Sequence, residues 1–298
     1  MVAAGVAAVD VAATARARTP DAMSASVFDT SHYASGLRQK LRRSIELGPK
    51  YYLVDVPRYV AQRRKLGLPL VDLGALWNPV RQFRAVKYIE LPLPPRYREA
   101  LDALDAEGVR LDNPPARTEA LVSMWWDVRE TPGDVIECGA YRGATSLLLA
   151  VLGALHGVRK KVLMLDTFAG MPSPSAFDLS RAPGEFTPPA DWPAAIRRQI
   201  AALGVEPLVE IHQGLFADTF ATWSARDRAF AFAHVDANIY QGTLDACTYL
   251  MPRMSPGGAI VFDDYNGIVD LGARLAIDTS LAGKRPSPLA ECSAYLRT

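Results

Sequence analysis

Apolar and polar positions change rhythm near Pro132. Upstream, apolar residues recur at helical spacing. Leu37, Leu41, Ile45 and Leu47 alternate with Arg38, Lys40, Arg42 and Arg43, and Tyr51, Tyr52, Val54, Val56, Tyr59 and Val60 carry the apolar face on to Arg63-Arg64-Lys65. This predicts an amphipathic helical stretch over about 32–66 whose basic side reads as a solvated helix face rather than a surface for RNA or anionic lipid. Residues 67–95 contain Leu-Pro-Leu, Asn-Pro and Leu-Pro-Leu-Pro-Pro and predict a connector. Two more helices are expected at 97–107 and 117–129, the second bringing Trp125 and Trp126 against the next unit. The alanine-rich start, Met1 to about Ala25, predicts a disordered or loosely helical tail.

From Pro132 onward, short apolar runs alternate with helical patterns. Strands are expected at 134–138, 161–165, 208–212, 229–235 and 258–262, with a strand-like end at 289–297. Helices are expected at 144–155, 191–203 (closed by Gly204), 241–251 and 270–282. Loop 167–190 holds five prolines and two glycines. Continuous apolar strands between helices predict a parallel sheet covered on both faces. Ligands of such sheets bind beyond the carboxyl ends of the strands. Glu137, Asp166, Asp236, Asp263 and Asp264 all fall at those ends.

Composition narrows the picture by exclusion. Of 298 residues, 49% are hydrophobic and 22% charged, as in a globular protein with a sizeable core. A net charge of +1 gives no global electrostatic case for nucleic acid or membrane as partner. No apolar run reaches the length of a membrane span, and the N-terminus lacks the basic-then-apolar order of a signal peptide, so a cytoplasmic protein is expected. Cys138, Cys247 and Cys292 show no C-x-x-C spacing and read as small buried residues.

The turn after the first strand carries the chemistry. Asp-Val-Ile-Glu-Cys-Gly-Ala-Tyr-Arg-Gly (134–143) spaces its glycines G-x-x-x-G, with Tyr141 between them and Glu137 ahead. A dinucleotide fingerprint needs G-x-G-x-x-G, so a nicotinamide enzyme fits the sheet but not this turn. A carboxylate beside the turn repels a pyrophosphate and suits a cofactor with positive charge and hydroxyls, such as S-adenosylmethionine. Asp166, 23 residues past Gly143, suits a pair of ribose hydroxyls, or else caps a turn with Thr167. Asp236, Asp263 and Asp264 form a second group. Brought together, they repel unless protonated or bridged by a cation, and oxygen-only ligands select Mg²⁺, Ca²⁺ or Mn²⁺. The alternative is three separate caps and surface charges. His234 lies two residues before Asp236, on the same side of the strand, and His212 ends strand three. Each has a catalytic reading and a core or rim reading.

These stretches resemble the macrocin-type O-methyltransferases (TylF/MycF) of the class I S-adenosylmethionine-dependent enzymes. The likeness rests on 132–143, Leu-Asp-Thr-Phe-Ala-Gly-Met-Pro (165–172), Gly-Leu-Phe-Ala-Asp-Thr-Phe (214–220), His-Val-Asp-Ala-Asn-Ile-Tyr (234–240) and Pro-Gly-Gly-Ala-Ile-Val-Phe-Asp-Asp-Tyr (256–265). It implies an α/β, Rossmann-like, mostly parallel sheet of seven strands, helices on both faces and an N-terminal helical extension. The chain then divides into a tail (1–30), a helical region for acceptor or oligomer contacts (31–115) and an S-adenosylmethionine-binding domain (116–298).

The implied cofactor residues run through the turn (Glu137, Cys138, Gly139, Ala140, Tyr141, Gly143) and the helix it opens (Thr145, Ser146). They continue at the end of strand two (Asp166, Thr167, Phe168), after strand three (Gly214, Phe216) and at Asp236. Mg²⁺ is implied on Asp236, Asp263 and Asp264, and the catalytic candidates are Asp236, His234 and Asn238. The implied activity is methylation of a hydroxyl, on a sugar or vicinal diol of a secondary metabolite, by a homo-oligomeric enzyme with a small-molecule acceptor. One departure bears on mechanism: Asn238 stands where the family pattern has an acid. An amide cannot take a proton at neutral pH. Either the metal-activated hydroxyl needs no base, Asp236 or His234 substitutes, or the protein binds the cofactor without methylating.

Overall fold

In this computed structural model, the described residues are 27–28, 51–68, 87–178, 180–223, 228–267, 269–281 and 283–298. After a π-helical turn at Tyr51–Asp55, the helices are α1 (Val56–Lys65), α2 (Tyr97–Ala106), α3 (Pro115–Asp127), α4 (Ala144–His156), α5 (Trp192–Ala202), α6 (Phe216–Thr222), α7 (Tyr240–Leu250) and α8 (Leu271–Ser280). The strands are β1 (Asp134–Cys138), β2 (Val162–Asp166), β3 (Val209–Gln213), β4 (Phe230–Val235), β5 (Met254–Phe262), β6 (Ser287–Ala290) and β7 (Ser293–Arg297). They form one seven-stranded sheet in the order β3-β2-β1-β4-β5-β7-β6. The first five strands run parallel, and β7 pairs antiparallel with both β5 and β6.

Alternate strand residues feed opposite faces, as pleat geometry requires. Val135, Val162, Met164, Phe232 and Val261 join one core with α2, α3 and α4. Ile136, Leu163, Leu165, Ala233, Ile260 and Phe262 join another with α7 and the end of α8. Helix α4 is apolar all round, with its run from Leu147 to Leu152 fully buried. A helix of that kind must be covered on its outer side too. Helices α2 and α3 supply that cover through Leu101, Leu104, Leu121 and Trp125. Burying each such side chain contributes about 1.5–3 kcal/mol.

Three details depart from the sequence expectation. The expected terminal strand is a hairpin, broken at Glu291-Cys292, where Glu291 turns through φ +50°. Strand β5 starts early, at Met254, because Met254 pairs with Phe230 before a bulge restores the register at Phe232–Ala259. The short helix α6 had no periodic signal long enough to read. In the expected tail, Val27 is fully buried and its carbonyl accepts the Leu111 N–H at 2.7 Å, while residues 1–26 lie outside the described residues. The same holds for 29–50 of the expected first helix and 69–86 of the connector.

Candidate functional site

Backbone bonds that run one residue past each strand line up the sheet's carboxyl edge. Gly139 N–H donates to Leu165 O at 2.9 Å, Asp236 N–H to Cys138 O at 2.8 Å, Asp263 N–H to Val235 O at 3.0 Å and Gly214 N–H to Asp166 O at 2.9 Å. The β1–α4 turn needs glycine for two separate reasons. Gly139 has φ +97°, and a Cβ there would lie 1.8 Å from the Asp236 carbonyl oxygen. Gly143 precedes α4 in a left-handed conformation against the Met164 side chain.

A cavity of about 930 Å³ opens over this edge. One side is lined by Glu137, Gly139, Ala140, Tyr141, Thr145, Asp166, Thr167, Gly214 and Phe216. The other is lined by Asp236, Asn238, Asp263, Asp264 and Asp270, and roofed by the Pro-rich segment with Arg181, Glu185 and Phe186. Among the expected cofactor residues, Cys138 and Phe168 lie in the apolar cores, Gly143 starts the helix and Ser146 stands behind Glu137.

Asp166 serves the turn first. Its Oδ2 accepts the Tyr141 N–H at 2.8 Å and its Oδ1 the Phe168 N–H at 2.7 Å. Oδ1 also meets the Thr167 hydroxyl at 3.4 Å, but Oδ2 keeps a second lone pair and the carboxylate lines the cavity, so it can also receive a hydroxyl donor. Burial raises its pKa, against the pull of those amides.

Glu137 is buried, and it is not a bare charge beside the turn. Ser146 donates to its Oε2, and His234 Nδ1 lies 2.9 Å from its Oε1. His234 has no exposed surface, and its Nε2 faces Asp263 Oδ1 at 3.6 Å, an electrostatic contact beyond hydrogen-bond length. Burial opposes the imidazolium, but Asp263 and Glu137 together outweigh it and push the pKa to about 10. His234 is thus a protonated bridge under the cavity floor, walled off from anything bound above.

On the far side of Asp263, Arg117 donates to Oδ2 at 2.6 Å and also reaches Glu291 at 3.2 Å and Asn113 at 3.1 Å. Burial alone would raise the Asp263 pKa, but Arg117 and His234 reverse this and hold it low. Asp236, with fewer countercharges, is pushed up to about 8 by burial and by Asp263. Burial, Asp270 and Asp236 raise Asp264 well above the ordinary carboxylate range.

The oxygen donors fit a hard cation. Among the described residues, the compact group has one ligand atom each from His234, Asp236 and Asp263 within 4.8 Å of one another, and Asp264, expected as the third metal ligand, is not part of it. Among the described residues, buried Asp263 Oδ1 and Asp264 Oδ2 have no hydrogen-bond partner. Such orphaned carboxylate oxygens are costly unless something positive meets them. His234 Nε2 stands beside the group but belongs to the protonated bridge. Arg117, Arg181, Asp270 and Glu291 escaped the sequence reading. The one available signal was an arginine, Arg117, at the start of a helical stretch whose middle, Ala120 to Trp126, is almost wholly apolar.

The comparisons with known proteins follow this geometry. The chain is 31% identical over 144 residues to the 8-demethyl-8-(2,3-dimethoxy-alpha-L-rhamnosyl)-tetracenomycin-C 4'-O-methyltransferase of Streptomyces olivaceus, covering 45% of this chain and 53% of that protein. It is 30% identical over 143 residues to the mycinamicin III 3''-O-methyltransferase of Micromonospora griseorubida, covering 45% and 56%. The chain thus spans about half the length of the curated relatives it matches. The solved O-methyltransferase NovP superimposes with a TM-score of 0.54 at 25% identity, over 61% of this chain and 78% of its own. The calicheamicin methyltransferase CalS11 shares the fold, with a TM-score of 0.52 at 19% identity over 82% and 91%. A profile of one family matches residues 116–280, more than half of the sequence, and the chain belongs to that family, the macrocin-O-methyltransferases (TylF).

Proposed function

We propose that the protein is an S-adenosylmethionine- and Mg²⁺-dependent O-methyltransferase acting on a hydroxyl of a sugar or vicinal diol in a secondary metabolite. The observation that carries this reading is the meeting of two acid groups in one cavity. Asp166 and the 139–141 turn form one side, and Asp236, Asp263 and Asp264 the other. The names of the relatives describe O-methyl transfer on a rhamnosyl tetracenomycin and on mycinamicin III, which supports the acceptor class.

Bound S-adenosylmethionine supplies a methyl group already activated by its sulfonium. Asp236, Asp263 and Asp264 would hold Mg²⁺, which would supply positive charge that makes a neighbouring hydroxyl more acidic. The chain's own residues do the rest. Asp166 offers the second lone pair of its Oδ2 to a ribose hydroxyl. The buried Glu137–His234 pair keeps the floor rigid, with its charges balanced. Arg117 fixes Asp263 through its Oδ2, while His234 stands against its Oδ1. Asp236 carries a carboxylate that can exchange a proton with a hydroxyl, which the Asn238 amide cannot do. The Pro-rich segment shields the reaction from water.

The proposal includes self-association through the N-terminal helices, supported by Leu53 and Leu66 standing exposed there. Sedimentation showing a monomer at every concentration would remove that part.

The central test is transfer of a labelled methyl group to a panel of sugars with vicinal diols. EDTA, Asp263→Ala and Asp264→Asn should each lower turnover by more than about tenfold. Turnover indifferent to all three removes the metal. Retention on immobilised nicotinamide, with none on immobilised S-adenosylhomocysteine, removes the methyl donor.

A further inference from the structure

Arg181 lies inside the Pro-rich segment, and its side chain is only 11% exposed. Its Nε donates to Asp270 Oδ1 at 2.8 Å, and its Nη1 to Glu185 Oε2 at 2.9 Å. Its Nη2 reaches the same Asp270 oxygen and also donates to Asn238 Oδ1 at 2.6 Å. Asn238 then donates its Nδ2 to Asp236 Oδ1 at 3.3 Å. The direction of this chain is forced by its end members. A guanidinium can only donate, so Asn238 must present its carbonyl oxygen to Arg181. Its amino group is then left facing Asp236, whose carboxylate accepts. An aspartate at 238 would keep the Arg181 contact but set carboxylate against carboxylate. Asn238 also sits at φ +60°, which asparagine tolerates better than most residues.

The segment that delivers Arg181 is itself held at several points. Its neck is closed by Met171 N–H to Glu185 O at 2.7 Å and Gly184 N–H to Met171 O at 2.9 Å. Asp178, three residues before Arg181, accepts the Tyr240 N–H at 2.7 Å at the start of α7. Asp178 also presses against α8 so closely that a Cβ on Gly272 would lie 1.9 Å from its Oδ1.

We propose that Arg181 and Asn238 are positioning residues that couple the seating of the Pro-rich segment to the orientation of the Asp236 carboxylate. The amide at 238 is then the link that makes the coupling work, rather than a lost base. The inference rests on the reading above, in which Asp236 faces the reacting hydroxyl.

Hydrogen exchange on the full chain with S-adenosylhomocysteine added tests the coupling without turnover. Asn238→Ala should speed exchange across 172–186, and Arg181→Met should speed it across 236–240, each by about tenfold, with β1 and β4 unchanged. With an acceptor found by the labelled-methyl panel, each substitution should lower kcat about tenfold and leave the S-adenosylmethionine KM within about twofold. The double variant should fall no further than the worse single one. Asn238→Asp should keep the 172–186 exchange of the parent while losing kcat, a split that a merely structural role would not produce. Exchange changes confined to the substituted segment, or kcat losses that multiply in the double variant, overturn the coupling. If the parent protein transfers methyl to no acceptor, the enzymatic reading fails, and the exchange cross-talk alone decides the coupling.

Discussion

Removing the Arg117 guanidinium would take a countercharge from two buried carboxylates, Asp263 and Glu291, whose side chains are 3% and 5% exposed. Uncompensated buried charge is among the most damaging results of a single substitution. Arg117→Met should therefore cost about 3–5 kcal/mol in urea denaturation, far more than an exposed ion pair is worth. The acids of this site were legible in the sequence because each ends an apolar run, and strand ends of a parallel sheet gather in one place. Their countercharges were not. Arg117 comes from α3 and Arg181 from the Pro-rich segment, and no local spacing links either of them to Asp263 or Asp236. His234 was placed on the correct side of its strand by two-residue periodicity, but that periodicity does not show that both ring nitrogens face acids.

Among the elements, the five parallel strands and the helices after β1, β2, β4 and β5 were readable to within a few residues. Each is a long apolar run or a long 3.6-residue pattern ended by glycine or an acid. The elements that deviated obey contacts made elsewhere. Strand β5 extends because Met254 still pairs with Phe230 across a bulge within β5, and the C-terminal stretch folds back because Glu291 adopts a left-handed turn. The β1–α4 turn gives the sharpest element-level prediction. Gly139→Ala would drive a Cβ into backbone at 1.8 Å, and backbone cannot move aside as a flexible side chain can. We expect a loss of at least about 3 kcal/mol, or no folded protein. Gly157→Ala is the control: its φ of +68° is also left-handed, but nothing lies within 4 Å of the added carbon. It should cost about 1–2 kcal/mol by thermal melting.

For the whole molecule, a net charge of +1 hides a cavity wall in which carboxylates far outnumber arginines. That imbalance makes stability pH-dependent, with a defined sign. His234 titrates near 6.5 unfolded and at about 10 folded, so its contribution is complete below about pH 6.5 and is lost as pH rises through about 10. Asp236, raised to about 8, acts in the same direction, because its ionisation between about pH 4 and 8 opposes the fold. Without divalent cations, the melting temperature should fall steadily from pH 6.5 to 10. His234→Gln, which keeps a donor but no charge, should melt lower at pH 6.5 and show a shallower decline. An equal slope in both proteins would mean that the bridge is neutral. The Met171–Glu185 neck has a separate consequence for the molecule's history. Two backbone bonds tie off twelve residues as a cassette anchored by Phe177 on Tyr240, by Asp178 on α7 and by Arg181 on Asn238. Under the proposed activity, transplants between relatives at that neck that keep these three anchors would redirect acceptor choice while the rest of the cavity stayed as it was.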